Sequence, residues 1–133
     1  MQLKEFVDRY GAQIGATISR SLEPVYDPEA PAGVDEFIQR MDGLKRAPFP
    51  VQAEIAKGVA KALYSAKREH NFIVGEMGTG KTMLSLAVIQ AAPRPMRTLV
   101  VSPTHLVEKW KREATITIPG VRVVDLSDQT AIA

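Results

Sequence analysis

The stretch FIVGEMGTGKT, residues 72–82, decides how this chain is read. Phe72, Ile73 and Val74 form a short apolar strand signal that runs into Gly75-Glu76-Met77-Gly78-Thr79-Gly80-Lys81-Thr82, a fit to G-x-x-x-x-G-K-[ST]. Each residue type has a task in holding a phosphate. Gly78 and Gly80 let the backbone turn tightly and approach an anion without a side chain in the way. Successive N–H groups and the positive end of the following helix then favour negative charge. Lys81, the candidate catalytic residue, supplies a mobile point charge for the β- and γ-phosphates, and the Thr82 hydroxyl suits Mg²⁺. A glycine turn that merely caps a helix explains Gly78 and Gly80 but leaves Lys81 and Thr82 without a reason. The whole loop, Gly75 to Thr82, is therefore read as a cradle for ATP with Mg²⁺.

Downstream, Met83 to Ala92 is apolar on nearly every side, the pattern of a buried helix, and Pro93 and Pro95 close it. Thr98 to Val101 is a continuous apolar run, expected of a parallel strand covered on both faces. Pro103-Thr104 starts a helix with Leu106, Val107, Trp110 and Ala114 facing inward and Glu108, Lys109, Lys111 and Arg112 facing water. Val121 to Leu126 reads as a third strand. The order strand, helix, strand, helix, strand predicts an α/β fold with a partial, three-stranded parallel P-loop sheet and flanking helices.

Upstream, Val51, Ile55, Val59, Leu63 and Ala66 recur at helical spacing up to about Lys67, after the Pro48-Phe49-Pro50 break. A shorter helix is expected to bury Phe37, Ile38, Met41 and Leu44. Residues 23–33, EPVYDPEAPAG, hold three prolines and no periodicity, and mark a linker. Before them, Leu3, Phe6, Val7, Tyr10, Ile14 and Ile18 line one face of a helix that ends near Leu22. The expected division is a helical extension over 1–46 and an ATP-binding region over 47–133.

Composition narrows the function classes. The 133 residues are 45% hydrophobic and 24% charged, so the chain is globular rather than disordered. With 17 basic and 15 acidic residues the net charge is only +2, too small to argue nucleic-acid binding from bulk charge. No cysteine is present, which excludes disulfides, thiolate metal sites and a cysteine nucleophile, and two histidines make a His-based zinc site improbable. No apolar run approaches the roughly 20 residues of a membrane span, and the N-terminus lacks a signal sequence's apolar core. A cytoplasmic protein without a membrane partner is expected.

Three segments together carry a resemblance: Gln52 within PFPVQAEIAKGVAKAL, then FIVGEMGTGKTMLSLAVI, then TLVVSPTHLVEKWKREA. In this order they resemble the opening of a superfamily 2 helicase or DNA translocase, closest to the Swi/Snf-type and DEAD/DEAH-like motors, over residues 47–126. The resemblance implies a RecA-like lobe, ATP with Mg²⁺ and a nucleic-acid partner, DNA rather than RNA. It places Gln52 at the adenine edge, where an amide can donate and accept at once. It places the Ser102 and Thr104 hydroxyls, with Glu113 and Trp110 behind them, on a nucleic-acid phosphate backbone. Plainer readings stand beside these: Gln52 as a solvated helix start, Thr104 as an N-cap, Trp110 as a core anchor, and Phe49 as a core residue rather than a base contact. Lys109, Lys111 and Arg112 read as the solvated face.

The acidic box and arginine fingers that such a motor needs are not seen in the sequence, and Asp125 is a poor substitute because no Glu follows it. An N-terminal part of a lobe, itself incomplete for hydrolysis, is therefore expected, with an unpaired sheet edge open to self-association. Two other functions remain open: a small P-loop kinase that uses Asp125, and a partner-docking module over residues 1–46 with Phe6, Tyr10 and Ile14 as its stripe.

Overall fold

The computed structural model describes residues 3–21 and 24–127, and the side chains of 4–17 and 24–127; Leu22, the Leu3 and Ile18 side chains and residues 128–133, which the sequence reading also used, lie outside them. Helix α1 spans Leu3–Ser21, α2 Asp35–Met41, α3 Pro50–Ala60, α4 Lys81–Gln90 and α5 Val107–Thr117. Lys61–Ser65 continues α3 as a π-helical turn, and a 3₁₀ turn, Thr104–Leu106, leads into α5. No helix among the described residues is long and apolar enough to cross a membrane.

Helix α4 is the centre of the molecule. Met83, Leu84, Leu86, Ala87 and Val88 are all buried on it, and α2, α3 and α5 pack around it. Its N-terminus issues directly from Gly80. From α3 come Ala56 and Ala60, both fully buried, whose small side chains let two helix backbones approach closely. Phe37, Met41 and Leu44 join the cluster from the α2 side as their spacing predicts, with Ile38 only partly buried; Val34 adds to it before α2 and Ile118 after α5. Trp110 and Ala114 pack against it from α5.

The expectation for α3 needs correction at its first turns. Val51 and Ile55 share the predicted stripe but are 72% and 44% exposed, whereas Ala56 and Ala60 face α4. Periodicity locates the helix, but of its stripe only Val59 and Leu63 pack against the core.

The predicted parallel sheet is overturned. Among the described residues there is no strand: residues 71–76, 96–103 and 121–125 lack regular structure. Phe72 and Val74 are 88% and 96% exposed, and Leu99 and Val101 are 71% and 89% exposed. A strand exists only by virtue of a ladder partner, and no backbone hydrogen bond joins these segments to one another. Continuous apolar runs marked them as extended, but the pairing that would make them a three-stranded sheet does not form. Nor, among the described residues, is there a sheet edge for a second copy to pair with.

The proline-rich segment docks rather than dangles. The Tyr26 ring lies over Gly58 of α3, where an added Cβ would come within 3.3 Å of it. Its hydroxyl donates to Glu54 Oε2 at 2.5 Å, and Lys57 Nζ donates to Glu54 Oε1 at 2.5 Å. Further along, Lys45 N–H donates to Thr117 O at 2.9 Å and Lys45 Nζ to Thr115 O at 3.1 Å, satisfying carbonyls at the end of α5. Arg46 pairs with Glu113 at 2.6 Å. Residues 24–46 are thus tied to both α3 and α5. Helix α1 forms as predicted, yet Phe6, Val7 and Ile14 remain exposed.

Three outcomes follow for stability. Burial, then the Glu54 carboxylate, push the Tyr26 phenol up to about 12 from its ordinary 10.0. A raised folded-state value gives stability that is complete below the unfolded value and lost as pH climbs from 10 to 12. Melting temperature should therefore fall across that interval, and fall less in Tyr26→Phe. Thr117 is fully buried and its Oγ1 has no hydrogen-bond partner among the described residues, so Thr117→Val should stabilise by about 1 kcal/mol in a urea melt. Lys67, at φ 52°, occupies the left-handed position just beyond the π-turn, and Lys67→Gly should add about 0.5–1 kcal/mol.

Candidate functional site

Two left-handed glycines shape the loop between Val74 and α4. Gly78 has φ 87° and Gly80 φ 79°, conformations that a side chain adopts only with strain. A Cβ on Gly78 would meet nothing within 4 Å, so the backbone angle demands glycine there and the space beside it stays open to a ligand. At Gly80 both reasons apply, since an added Cβ would collide with Gln52 Nε2. A Cβ on Gly75 would come within 2.9 Å of Thr79 Oγ1.

Lys81 gathers the loop around its ammonium group. Its Nζ donates to Gly75 O at 2.9 Å and to Glu76 O at 2.7 Å. Thr79 Oγ1 donates to the same Glu76 carbonyl at 2.9 Å. Neutral carbonyls satisfy a cation only in part, and a phosphate offered at the mouth of the loop would compete well for Lys81. Met77 projects from the tip into solvent, and Thr82 is half-buried in the first turn of α4. The chemistry of these residues fits a nucleotide phosphate: open glycine backbone, a helix N-terminus, one mobile cation and a hydroxyl.

Gln52 reaches this loop across 27 residues of sequence. Its Oε1 accepts from Phe49 N–H at 3.0 Å, which caps α3, and its Nε2 donates to Thr79 O at 3.0 Å. An amide carries two N–H groups and two carbonyl lone pairs, so these two bonds leave one of each uncommitted. The side chain is therefore neither idle nor fully spent, and it braces the phosphate loop. Sequence reasoning missed that brace. The usable signal was position: Gln52 stands three residues after Phe49, at the third residue of a helix opened by Pro50, where a Gln side chain reaches back to the cap. Phe49 is not a core residue, being 75% exposed beside Gln52.

The other predicted residues lie on the approach to α5. Thr104 is exposed and opens the 3₁₀ turn, but no side-chain hydrogen bond caps that turn or α5, so the N-cap reading of Thr104 is not realised. Ser102 Oγ lies 3.4 Å from Pro103 O, a weak contact. Trp110 packs on the core as an anchor. Glu113 turns to Arg46 rather than toward Thr104.

Asp125 is engaged elsewhere. Its Oδ1 accepts from Ser127 Oγ at 2.6 Å and from Ser127 N–H at 2.9 Å, and its Oδ2 lies 3.7 Å from Lys111 Nζ. The Ser127 hydrogen bonds, and then Lys111, hold its carboxyl below the ordinary range. Among the described residues no group of three His, Cys, Asp or Glu side chains could hold a metal ion. A Mg²⁺ ion at this loop would be held by nucleotide phosphates and the Thr82 hydroxyl, in keeping with that ion's habit of binding through few protein ligands.

In comparison with known families, residues 45–130 fit the family described as "Type III restriction enzyme, res subunit". Comparison with curated proteins and with solved structures gives no match. The matched span starts beside the Arg46–Glu113 tie and takes in Gln52, the phosphate loop, Ser102, Thr104 and Asp125.

The brace and the glycine are separable by mutation. Gln52→Ala leaves Thr79 O and Phe49 N–H without their partner and should cost about 1 kcal/mol in a urea melt, with faster amide exchange at the start of α3. Gly80→Ala adds a left-handed backbone penalty of about 1–2 kcal/mol and a collision with Gln52, and should disorder the loop more than Gln52→Ala does.

Proposed function

The chain belongs to the type III restriction enzyme res-subunit family, which makes it a helicase-like, ATP-dependent nucleic-acid enzyme, and from that premise we propose that it binds ATP with Mg²⁺ for translocation along DNA. The observation that carries this reading is the Gly75–Thr82 loop, closed on Lys81 and opening through two left-handed glycines into α4. The Lys81 ammonium would exchange two carbonyls for the β- and γ-phosphates, and the loop amides and helix end would take the remaining charge. Bound Mg²⁺ would neutralise phosphate oxygens, with Thr82 as the protein ligand. Gln52 would read the adenine edge with its free N–H and lone pair, and Phe49, exposed beside it, would cover the base.

Ser102 and Thr104 are the proposed contacts to a phosphate backbone, through hydroxyls that the fold leaves without strong partners. DNA as the strand, translocation as its outcome and a cytoplasmic setting belong to this proposal. So does the assignment of residues 47–133 to the ATP-binding region and 1–46 to an extension, although Phe37, Met41 and Leu44 share one core with α4. The kinase reading requires Asp125 at the phosphates, and its ties to Ser127 and Lys111 speak against that role.

Calorimetric titration of ATP with Mg²⁺ should show binding that Lys81→Ala weakens about 10- to 100-fold, the loss of one charge-assisted contact. Asp125→Asn should leave that affinity unchanged. Brisk phosphate release by this chain that Asp125→Asn abolishes would overturn the motor reading in favour of the kinase.

A further inference from the structure

The solvated face of α5 divides its charges unequally. Glu108 accepts from Lys111 Nζ at 2.7 Å, and Lys111 also faces Asp125 at 3.7 Å, so this cation is already neutralised. Glu113 is held at 2.6 Å by Arg46 and has only a longer contact, 3.8 Å, with Arg112. Both acids that flank the outer face are thus drawn to cations on either side of it. Lys109 makes no ion pair among the described residues, and the Arg112 side chain is 69% exposed.

Lys109 and Arg112 are three residues apart and therefore neighbours on one helical face. His105 and Thr104, both exposed, precede them by one turn. From Thr104 to Arg112 the track is roughly 12–14 Å long, the axial length of three to four phosphates of one strand. The whole chain's net charge of +2, from 17 basic and 15 acidic residues, says nothing of where the cations stand and so does not reveal this stripe.

We propose that Thr104, His105, Lys109 and Arg112 form one backbone track that carries a nucleic-acid strand from the 3₁₀ turn along α5. The track rests on the nucleic-acid reading above and extends it from two hydroxyls to a run of phosphate contacts. Phosphates are recognised here without regard to base, so affinity is electrostatic and independent of sequence.

The test is fluorescence anisotropy of the full chain with labelled single-stranded and duplex DNA, and an RNA of the same sequence, over a salt series. Lys109→Glu/Arg112→Glu is compared with Lys4→Glu/Arg9→Glu on α1, which changes net charge equally, and with Lys109→Ala/Arg112→Ala as the milder variant. The stripe variants should bind more weakly, and the plot of log affinity against log salt should be shallower by about 1 for each cation removed, with the α1 variant close to wild type. An unchanged slope in variants that melt like wild type would overturn the track and leave the nucleic-acid reading intact. Absence of binding by wild type to any of the three probes at low salt would overturn both. A drop of equal size in the α1 variant would show that bulk charge, not α5, supplies the affinity, and would also overturn the track.

Discussion

Everything here depends on the burial of α4. A helix apolar on most of its sides must be covered, and Met83, Leu84, Leu86, Ala87 and Val88 are buried beneath α2, α3 and α5. That cover fixes where its N-terminus points. The loop amides and the positive helix end at Gly80 are then held in place by a core of Leu84, Leu86, Ala87 and Val88 rather than by the loop itself. The glycine-rich loop is exposed, and it sits on the best-buried element of the molecule.

The segments before α3 and after α4 serve the same arrangement. Tyr26 ties the proline-rich stretch to Glu54 and Gly58, while Lys45 and Arg46 tie residues after α2 to the end of α5. Exposed ion pairs contribute little individually. The value of these lies in position, because each joins an element that packs on α4 to a segment that would otherwise have no fixed direction. Gln52 belongs to this class as well. By holding Phe49 N–H and Thr79 O it turns the start of α3 into a support for the phosphate loop.

Local electrostatics of the loop and of α5 follow one rule. Lys81 is partnered by carbonyls, which leave it available to an anion, whereas Lys111 is partnered by carboxylates, which do not. Asp125 is likewise occupied, by Ser127 and Lys111. Counting charges along the sequence cannot separate these cases, since the difference lies in which partner each group meets.

Local spacing alone carries the glycine loop at 75–82, because Gly78 and Gly80 act through backbone freedom that needs no distant partner. It also determined the helices, whose hydrogen bonds close within each segment, and the inward face of α2. It singles out Gln52, though not its hold on Thr79. Tertiary structure alone decided the rest. The runs at 72–74, 98–101 and 121–126 look like strands in sequence, but a strand needs a partner in space, and among the described residues they have none. Which side of α3 is buried depended on the fit of Ala56 and Ala60 against α4, not on the larger Val51 and Ile55. The Tyr26 tether and the Arg46–Glu113 tie join residues far apart in the chain, and the charge pattern on the outer face of α5 depends on such joins. No periodicity encodes them, because each is a contact that exists only after the chain has closed on α4.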